Sequence, residues 1–398
     1  MPPDRSVDVL IVGGGAAGAA CAEALRGARF EGSIMLVGRD VDPPYERPFC
    51  SKEYLRGDVD RQGTYLECPD DIDLRTRTSV MKLDPSARTA KLSTGEEVGF
   101  ERALLATGAN VRRLRVEGGQ LDGIHYLRAL GNSDAIRAGA ADAEHVVLVG
   151  GSYIACEVAA SLTVGGRRCT LVMQEELPLS LGFGRAAGEF FGGVLRSHGV
   201  EWVGGDGLAR FEGDDRVRRV VTSSGRVLDA DLVVMGTGAV PDVTLARSAG
   251  LELGATGGIA CSSSLETSVP GIWAAGDACE YDSVVHDRRL RIEHWEVARA
   301  QGAAVAAAMM GSGRPYDEVP YFWSDLADWC TLEYVGPAAS WDREVVRGSL
   351  SAGAFTIFYA AGDRLAAALT VGRSDDLDEA RRLLVEKTPV DLAELAAT

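Results

Sequence analysis

Val9-Leu10-Ile11-Val12-Gly13-Gly14-Gly15-Ala16-Ala17-Gly18 runs from an apolar strand into glycines and then into alanine, and its reading decides the fold of the chain. Gly13 permits a tight turn, Gly15 lets the backbone approach a pyrophosphate, and Gly18 lets a helix close on the strand. A helix that begins there presents unpaired N–H groups and positive potential to phosphates. Asp40 stands about 20 residues beyond Gly18, where an acid should meet ribose hydroxyls. A second stretch of this kind is His145-Val146-Val147-Leu148-Val149-Gly150-Gly151-Ser152-Tyr153-Ile154-Ala155. There Ser152 replaces the middle glycine and Ala155 the last, both small enough to keep the approach close. One such site could hold any adenine dinucleotide. Two in tandem imply an enzyme that holds two of them and passes electrons between them.

The chain has 398 residues, too many for one compact core, and fits two or three domains. A hydrophobic content of 46% and a charged content of 25% are those of an ordinary globular protein. The net charge of −17 argues against nucleic acid or an anionic membrane as partner, since both would be repelled. Val7 to Leu25 has an acidic start and a glycine fingerprint in its middle, so it reads as strand and helix and not as a signal peptide. The alanine-rich run Ala298 to Met310 is broken by Arg299, Gln301 and Gly302, and no segment has the length and apolarity of a membrane span. The expected compartment is therefore the cytoplasm, where eight scattered cysteines without a C-x-x-C pair would be reduced, and five histidines without i, i+4 pairing point to no metal site.

Short β-branched runs alternate with alanine-rich stretches in the first half, which is the pattern of βαβ units and a parallel sheet. The first unit predicts a strand at Val7–Val12, a helix near Ala16–Arg26 and a strand at Ser33–Val37. Ala90–Leu92 and Glu97–Phe100 read as hairpin strands leading to Ala106-Thr107-Gly108, and Asp231 to Gly238 repeats that ending after the second fingerprint. The placement predicts one nucleotide domain inserted into another: residues 1–112 and 236–315 form the first, 113–235 the second. From Tyr316 the composition turns aromatic and strand-rich, with a helix near Asp376–Glu386, and residues 316–398 read as a C-terminal α+β domain. The strand Cys169–Val172 ends in Met173 and Gln174 before Glu175 and Glu176. Either acid could bind a 2′-hydroxyl, and no arginine follows at once for a 2′-phosphate, which favours NADH over NADPH.

With Pro44-Tyr45-Glu46-Arg47-Pro48-Phe49-Cys50-Ser51-Lys52 the chain resembles the flavoprotein ferredoxin reductases that serve bacterial oxygenases, of the putidaredoxin, rubredoxin and biphenyl-dioxygenase reductase type, whose fold apoptosis-inducing factor shares. The resemblance continues through Ala106-Thr107-Gly108, Tyr126-Leu127-Arg128, Gly276-Asp277, Glu293-His294-Trp295 and Tyr321-Phe322-Trp323-Ser324-Asp325. It implies an α/β fold with two Rossmann-like domains of the glutathione-reductase type, FAD on the first fingerprint and NADH or NADPH on the second. It also implies roles: Asp277 at the ribityl chain, Arg47 and Arg128 at the FAD phosphates or adenosine, Lys52 beside the flavin ring, and Glu157 facing that lysine near the nicotinamide. Trp295 and its neighbours would border the flavin's pyrimidine end or the nicotinamide, and Val80 joins the expected cofactor contacts. Lys52 and Glu157 are the catalytic candidates, and a ferredoxin-type iron–sulfur protein is the implied partner of a monomer or homodimer.

Plainer readings stand beside these. Lys52 could be a surface lysine, Glu157 a solvated helix residue and Trp295 a core residue. Cys50 replaces the leucine usual in the motif and sits near a helix start and Lys52, two features that raise thiol reactivity. That leaves a peroxide, disulfide or small-molecule reductase using Cys50 as one alternative activity. A redox-sensing interaction protein of the apoptosis-inducing-factor kind is another. The basic stretch His286-Asp287-Arg288-Arg289-Leu290-Arg291 reads either as a solvated hairpin tip or as a steering patch for an acidic ferredoxin.

Overall fold

A computed structural model of the chain describes residues 3–397. It consists of two compact units, each assembled from three stretches of chain. The first contains the described residues through Arg47, Tyr65–Asn110 and Val240–Phe322; the second contains Pro48–Thr64, Val111–Ala239 and the residues from Trp323 onward.

In the first unit the strands are β1 (Arg5–Val12), β2 (Ile34–Val37), β3 (Asp73–Arg75), β4 (Val80–Asp84), β5 (Thr89–Leu92) and β6 (Glu97–Leu105). They pair in the order β3-β2-β1-β6-β5-β4, and Ile272–Ala274 adds a seventh strand along the C-terminal half of β6. The predicted βαβ unit and hairpin are both present. Val9, Leu10 and Ile11 of β1 and Leu104 and Leu105 of β6 are fully buried, as central parallel strands covered on both faces must be. The covering helices Ala16–Gly27 and Trp295–Met309 lie close together because the contact residues are tiny. A Cβ on Gly302 would stand 2.1 Å from the Ala17 carbonyl oxygen.

In the second unit a parallel sheet runs in the order Glu201–Val203, Arg168–Val172, His145–Val149, Leu232–Met235, Ile124–Tyr126. A three-stranded antiparallel sheet (Leu208–Gly213, Val217–Thr222, Val227–Asp229) follows it. The C-terminal sheet has five strands in the order Tyr321–Leu326, Cys330–Val335, Arg364–Val371, Ala354–Ala361, Arg343–Ser349, followed by the helix Asp376–Glu386. It packs on the helix Ser180–Ser197: the Tyr359 hydroxyl donates to the Phe183 carbonyl at 2.8 Å, and Phe355 meets Phe190 edge to face at 4.7 Å. Among the described residues no helix is long and apolar enough to cross a membrane.

Two glycine-to-alanine changes in helices should move stability in opposite directions. Gly193 is exposed with open space where a Cβ would go, so Gly193→Ala should stabilise by about 0.5–1 kcal/mol through helix propensity alone. Gly302→Ala should destabilise by about 1–3 kcal/mol, since the added methyl overlaps backbone that cannot yield cheaply. Thermal unfolding of the two variants against the parent chain measures both.

Candidate functional site

The two fingerprints fold into turns with the same hydrogen-bond skeleton. The Gly13 N–H donates to the Val37 carbonyl and the Ala106 N–H to the Val12 carbonyl, both at 2.8 Å. The Gly150 N–H likewise donates to Val172 and the Gly236 N–H to Val149, again at 2.8 Å. Gly13 and Gly150 share a φ of +122°, and a Cβ on them would lie 2.1 Å from the Ala106 oxygen and 2.2 Å from the Gly236 oxygen. The helices that follow start at Gly15 and Ser152, neither with a side-chain cap, so their first amides face the turn without a side-chain acceptor.

In the first unit the expected cofactor residues converge on the turn. Asp40 accepts from the Arg47 guanidinium at 2.8 Å and from the Tyr45 hydroxyl at 3.2 Å, and the Arg47 Nε would stand 3.9 Å from a Cβ on Gly15. Thr107, between Ala106 and Gly108, ties its hydroxyl to the Asp242 carbonyl at 2.6 Å. Gly276 has a φ of +73° and borders Ala17, which carries Asp277 to the start of the fingerprint helix. Gln301, buried on the helix Trp295–Met309, accepts from the Gly276 N–H at 2.8 Å and so holds that turn. The cradle, its glycine-only positions at Gly13 and Gly18 and the carboxylates beside it fit an adenine dinucleotide such as FAD. His294 stacks on Phe322 at 3.9 Å, with Glu293 and Trp295 on either side of it in sequence, and Val80 opens β4 with its side chain half-buried.

The other expected residues belong to the second unit, among them Arg128, whose N–H bonds the Asn132 side chain at the helix Leu130–Ala141. The second turn absorbs its departures from the glycine pattern locally. At the position of Gly18, where a Cβ would stand 1.9 Å from the Gly13 carbonyl oxygen, the second turn has Ala155, and a Cβ on the facing Gly236 would stand 2.9 Å from that of Ala155. Gly236 thus leaves room for the Ala155 methyl. Glu175 turns back so that its Oε2 would lie 3.3 Å from a Cβ on Gly151, while the Glu176 side chain is 81% exposed. Tyr153 opens the fingerprint helix and is half-buried, with its ring edge to face with Phe183, whereas Ile154 is exposed. A groove of about 590 Å³ lined by Arg168, Arg196, Trp202 and Arg226 lies at the opposite, N-terminal ends of these strands and does not coincide with the turn.

Lys52 and Glu157, about a hundred residues apart in sequence, form a buried ion pair at 2.6 Å with side chains 5% and 6% exposed. Lys52 is therefore no surface lysine. Ser51 and Ser324 also bond Glu157, and Lys52 Nζ lies 4.9 Å from the centre of the Trp323 ring. Sequence reasoning did not anticipate either serine, although Ser51 adjoins Lys52 and Ser324 lies in the motif at Tyr321–Asp325; no spacing rule links them. Burial raises the carboxyl pKa of neighbouring Asp325. Cys50 is 4% exposed, and among the described residues no cysteine is in a disulfide. The basic stretch is largely neutralised: Arg289 pairs with Asp282 at 2.8 Å and Arg291 with Glu293 at 2.5 Å.

Burial pushes the His294 imidazole down from 6.5 to about 4. Between those values the unfolded chain binds the proton and the folded one does not, so this residue's contribution to stability is present above 6.5 and is lost as pH falls toward 4. His294→Gln should therefore flatten the acid limb of a plot of thermal midpoint against pH and leave the neutral limb parallel to that of the parent. Residues 7–302 match the family described as pyridine nucleotide-disulphide oxidoreductase, and residues 321–398 match the reductase C-terminal family. Rhodocoxin reductase of Rhodococcus erythropolis is 33% identical over 98% of this chain and 92% of its own length. Putidaredoxin reductase of Pseudomonas putida is 33% identical over 96% of this chain and 93% of its own. In the crystal structure of a covalent putidaredoxin reductase–putidaredoxin complex, the similar chain superposes with a TM-score of 0.91 at 33% identity, covering 99% of this chain and 96% of that one. The chain belongs to the pyridine nucleotide-disulphide oxidoreductase family, in the form that ends in a reductase C-terminal domain.

Proposed function

We propose that this protein is an NADH-dependent flavoprotein reductase that passes electrons to a ferredoxin-type iron–sulfur protein serving an oxygenase. The observation that carries the reading is the pair of matched turns, one ringed by Asp40, Arg47 and Asp277 and the other faced by Glu175. The names of its relatives support the acceptor, since they include reductases of rhodocoxin, putidaredoxin and dioxygenase ferredoxins. Bound at the first turn, FAD would accept hydride from the nicotinamide and release the electrons singly to the iron–sulfur partner.

The chain's own residues then have separable tasks. The amides after Gly15 and Ser152 receive pyrophosphates, and Asp40 and Glu175 receive ribose hydroxyls. Asp277, held through Gly276 by Gln301, receives the ribityl chain. Ala106, Thr107 and Gly108 form the wall behind the first turn, and Arg128 contributes to the phosphate or adenosine end. Lys52 and Glu157 are the charged pair of the redox step, a fixed positive charge favouring the negative charge that a flavin gains on reduction. Cys50 is a packing residue. The cytoplasm, with its NADH pool, is the compartment this reading requires.

Rapid mixing with NADH and with NADPH, followed by a panel of [2Fe–2S] and [3Fe–4S] ferredoxins, tests the whole reading. Reduction of no ferredoxin faster than of oxygen or free dye would overturn it. Glu175→Ala should raise KM for NADH about tenfold or more, the cost of a hydrogen bond to a charged group, with kcat nearly unchanged and the preference over NADPH diminished. Cys50→Ser should keep NADH-dependent ferredoxin reduction at the parental rate; loss of turnover in a folded, flavin-loaded variant would bring the thiol mechanism back.

A further inference from the structure

Glu157 sits in a clamp built from three distant parts of the sequence. Ser51 Oγ donates to its Oε2 at 2.5 Å, and Ser324 Oγ donates to its Oε1 at 2.5 Å. Lys52 Nζ donates to the same Oε1 at 2.6 Å. One turn along the helix from Glu157, Ser161 Oγ donates to the Ser51 carbonyl at 2.7 Å and fixes the residue that carries one of these donors. Ser51, Ser161 and Ser324 are all buried, at 2%, 2% and 3% exposure. A buried ion pair is tolerable only when its remaining lone pairs are satisfied, and removing a single donor leaves a polar atom out of water with no replacement. Both carboxylate oxygens of Glu157 are thus committed before any ligand arrives.

We propose that Ser324 and Ser51 are positioning residues for the redox reaction: their hydroxyls fix the Glu157 carboxylate, and through it the place of the Lys52 ammonium. The inference rests on the assignment of Lys52 and Glu157 as the reaction's charged pair. It gives the strand Tyr321–Leu326 a task, because its adjacent residues Trp323 and Ser324 hold the two members of that pair, one through its ring face and one through its hydroxyl. Glu157, with both oxygens engaged, then serves as a fixed anchor for Lys52 and not as the group that exchanges a proton with substrate.

Lys52 can be followed directly, since the chain has few other lysines and Lys82 and Lys91 are exposed internal references. The flavin-loaded parent, Ser324→Ala, Ser324→Thr and Ser51→Ala would be treated briefly with an amine-acylating reagent, and each lysine's acylation quantified by peptide mass spectrometry. The expected result is acylation of Lys52 several-fold faster in both alanine variants, with Lys82 and Lys91 unchanged and Ser324→Thr, which keeps the hydroxyl, close to the parent. Steady-state kinetics on the same samples should show kcat falling about tenfold with KM for NADH held, and recovery in the threonine variant. Unchanged Lys52 acylation in both alanine variants, or a threonine variant that behaves like alanine, overturns the proposal. If the parent is not reduced by NADH the functional reading fails, whereas the acylation result still decides whether the serines hold the pair. Ser51→Ala carries the test if Ser324→Ala does not fold.

Discussion

Two carbonyl oxygens, those of Ala106 and Gly236, occupy the places where side chains would begin on Gly13 and Gly150. This close approach of a crossing strand to a turn is the constraint on which the rest of each nucleotide fold depends. It requires a residue with no Cβ and a positive φ, and it lets each helix start directly at the end of a buried strand. Because the turn is so tight, the first amides of the helix, the wall at Thr107 or Thr237 and the acid from the next strand meet around a small volume. In both units the threonine hydroxyl is tied to a backbone carbonyl, Asp242 in one and Arg112 in the other, so the wall is braced from behind.

The polar interior is concentrated at few points. Most ion pairs of this acidic chain are exposed and contribute about 0–1 kcal/mol each. Lys52–Glu157 is different, as is Arg347, which donates to the Leu395 carbonyl and to Asp376 and Glu379 while lying over the Phe358 ring. Arg347 has every partner within the C-terminal region and fixes the helix Asp376–Glu386 to its sheet. Lys52–Glu157 draws its supports from three separate stretches, an arrangement that packing alone does not require. Removal of one member of such a pair costs about 3–5 kcal/mol, far more than the pair adds over an apolar replacement.

What the sequence made legible was local. Strand-to-glycine-to-helix transitions located both turns, and the helices Ala16–Gly27 and Asp376–Glu386 and the strands Arg5–Val12 and Ile34–Val37 lie within a few residues of the runs that predict them. Departures from the pattern were visible, but not what accommodates them: Ala155 stands where the pattern has glycine, and Gly236, just past the strand Leu232–Met235, leaves room for its methyl group. Gln301 looked like an interruption in an alanine run and turned out to be the acceptor for the Gly276 amide. Ser51, Ser324 and Trp323 were invisible as a group, since periodicity and spacing describe neighbours along the chain whereas this cluster is made by tertiary closure. The expected acid Asp40 was legible, but its grip by Arg47 and Tyr45 was not.

The alternation of the chain between its two units has a consequence for synthesis. The first fingerprint emerges early, yet the C-terminal half of β6 gains its neighbour only when Ile272–Ala274 has been made, and the fingerprint helix gains its cover only with Trp295–Met309. Until then Ala103, Leu104 and Leu105 present a bare, wholly apolar strand edge. Such an edge is a template for pairing with the wrong chain. The discontinuous layout of the chain therefore also sets a long interval during synthesis in which this sheet cannot be completed.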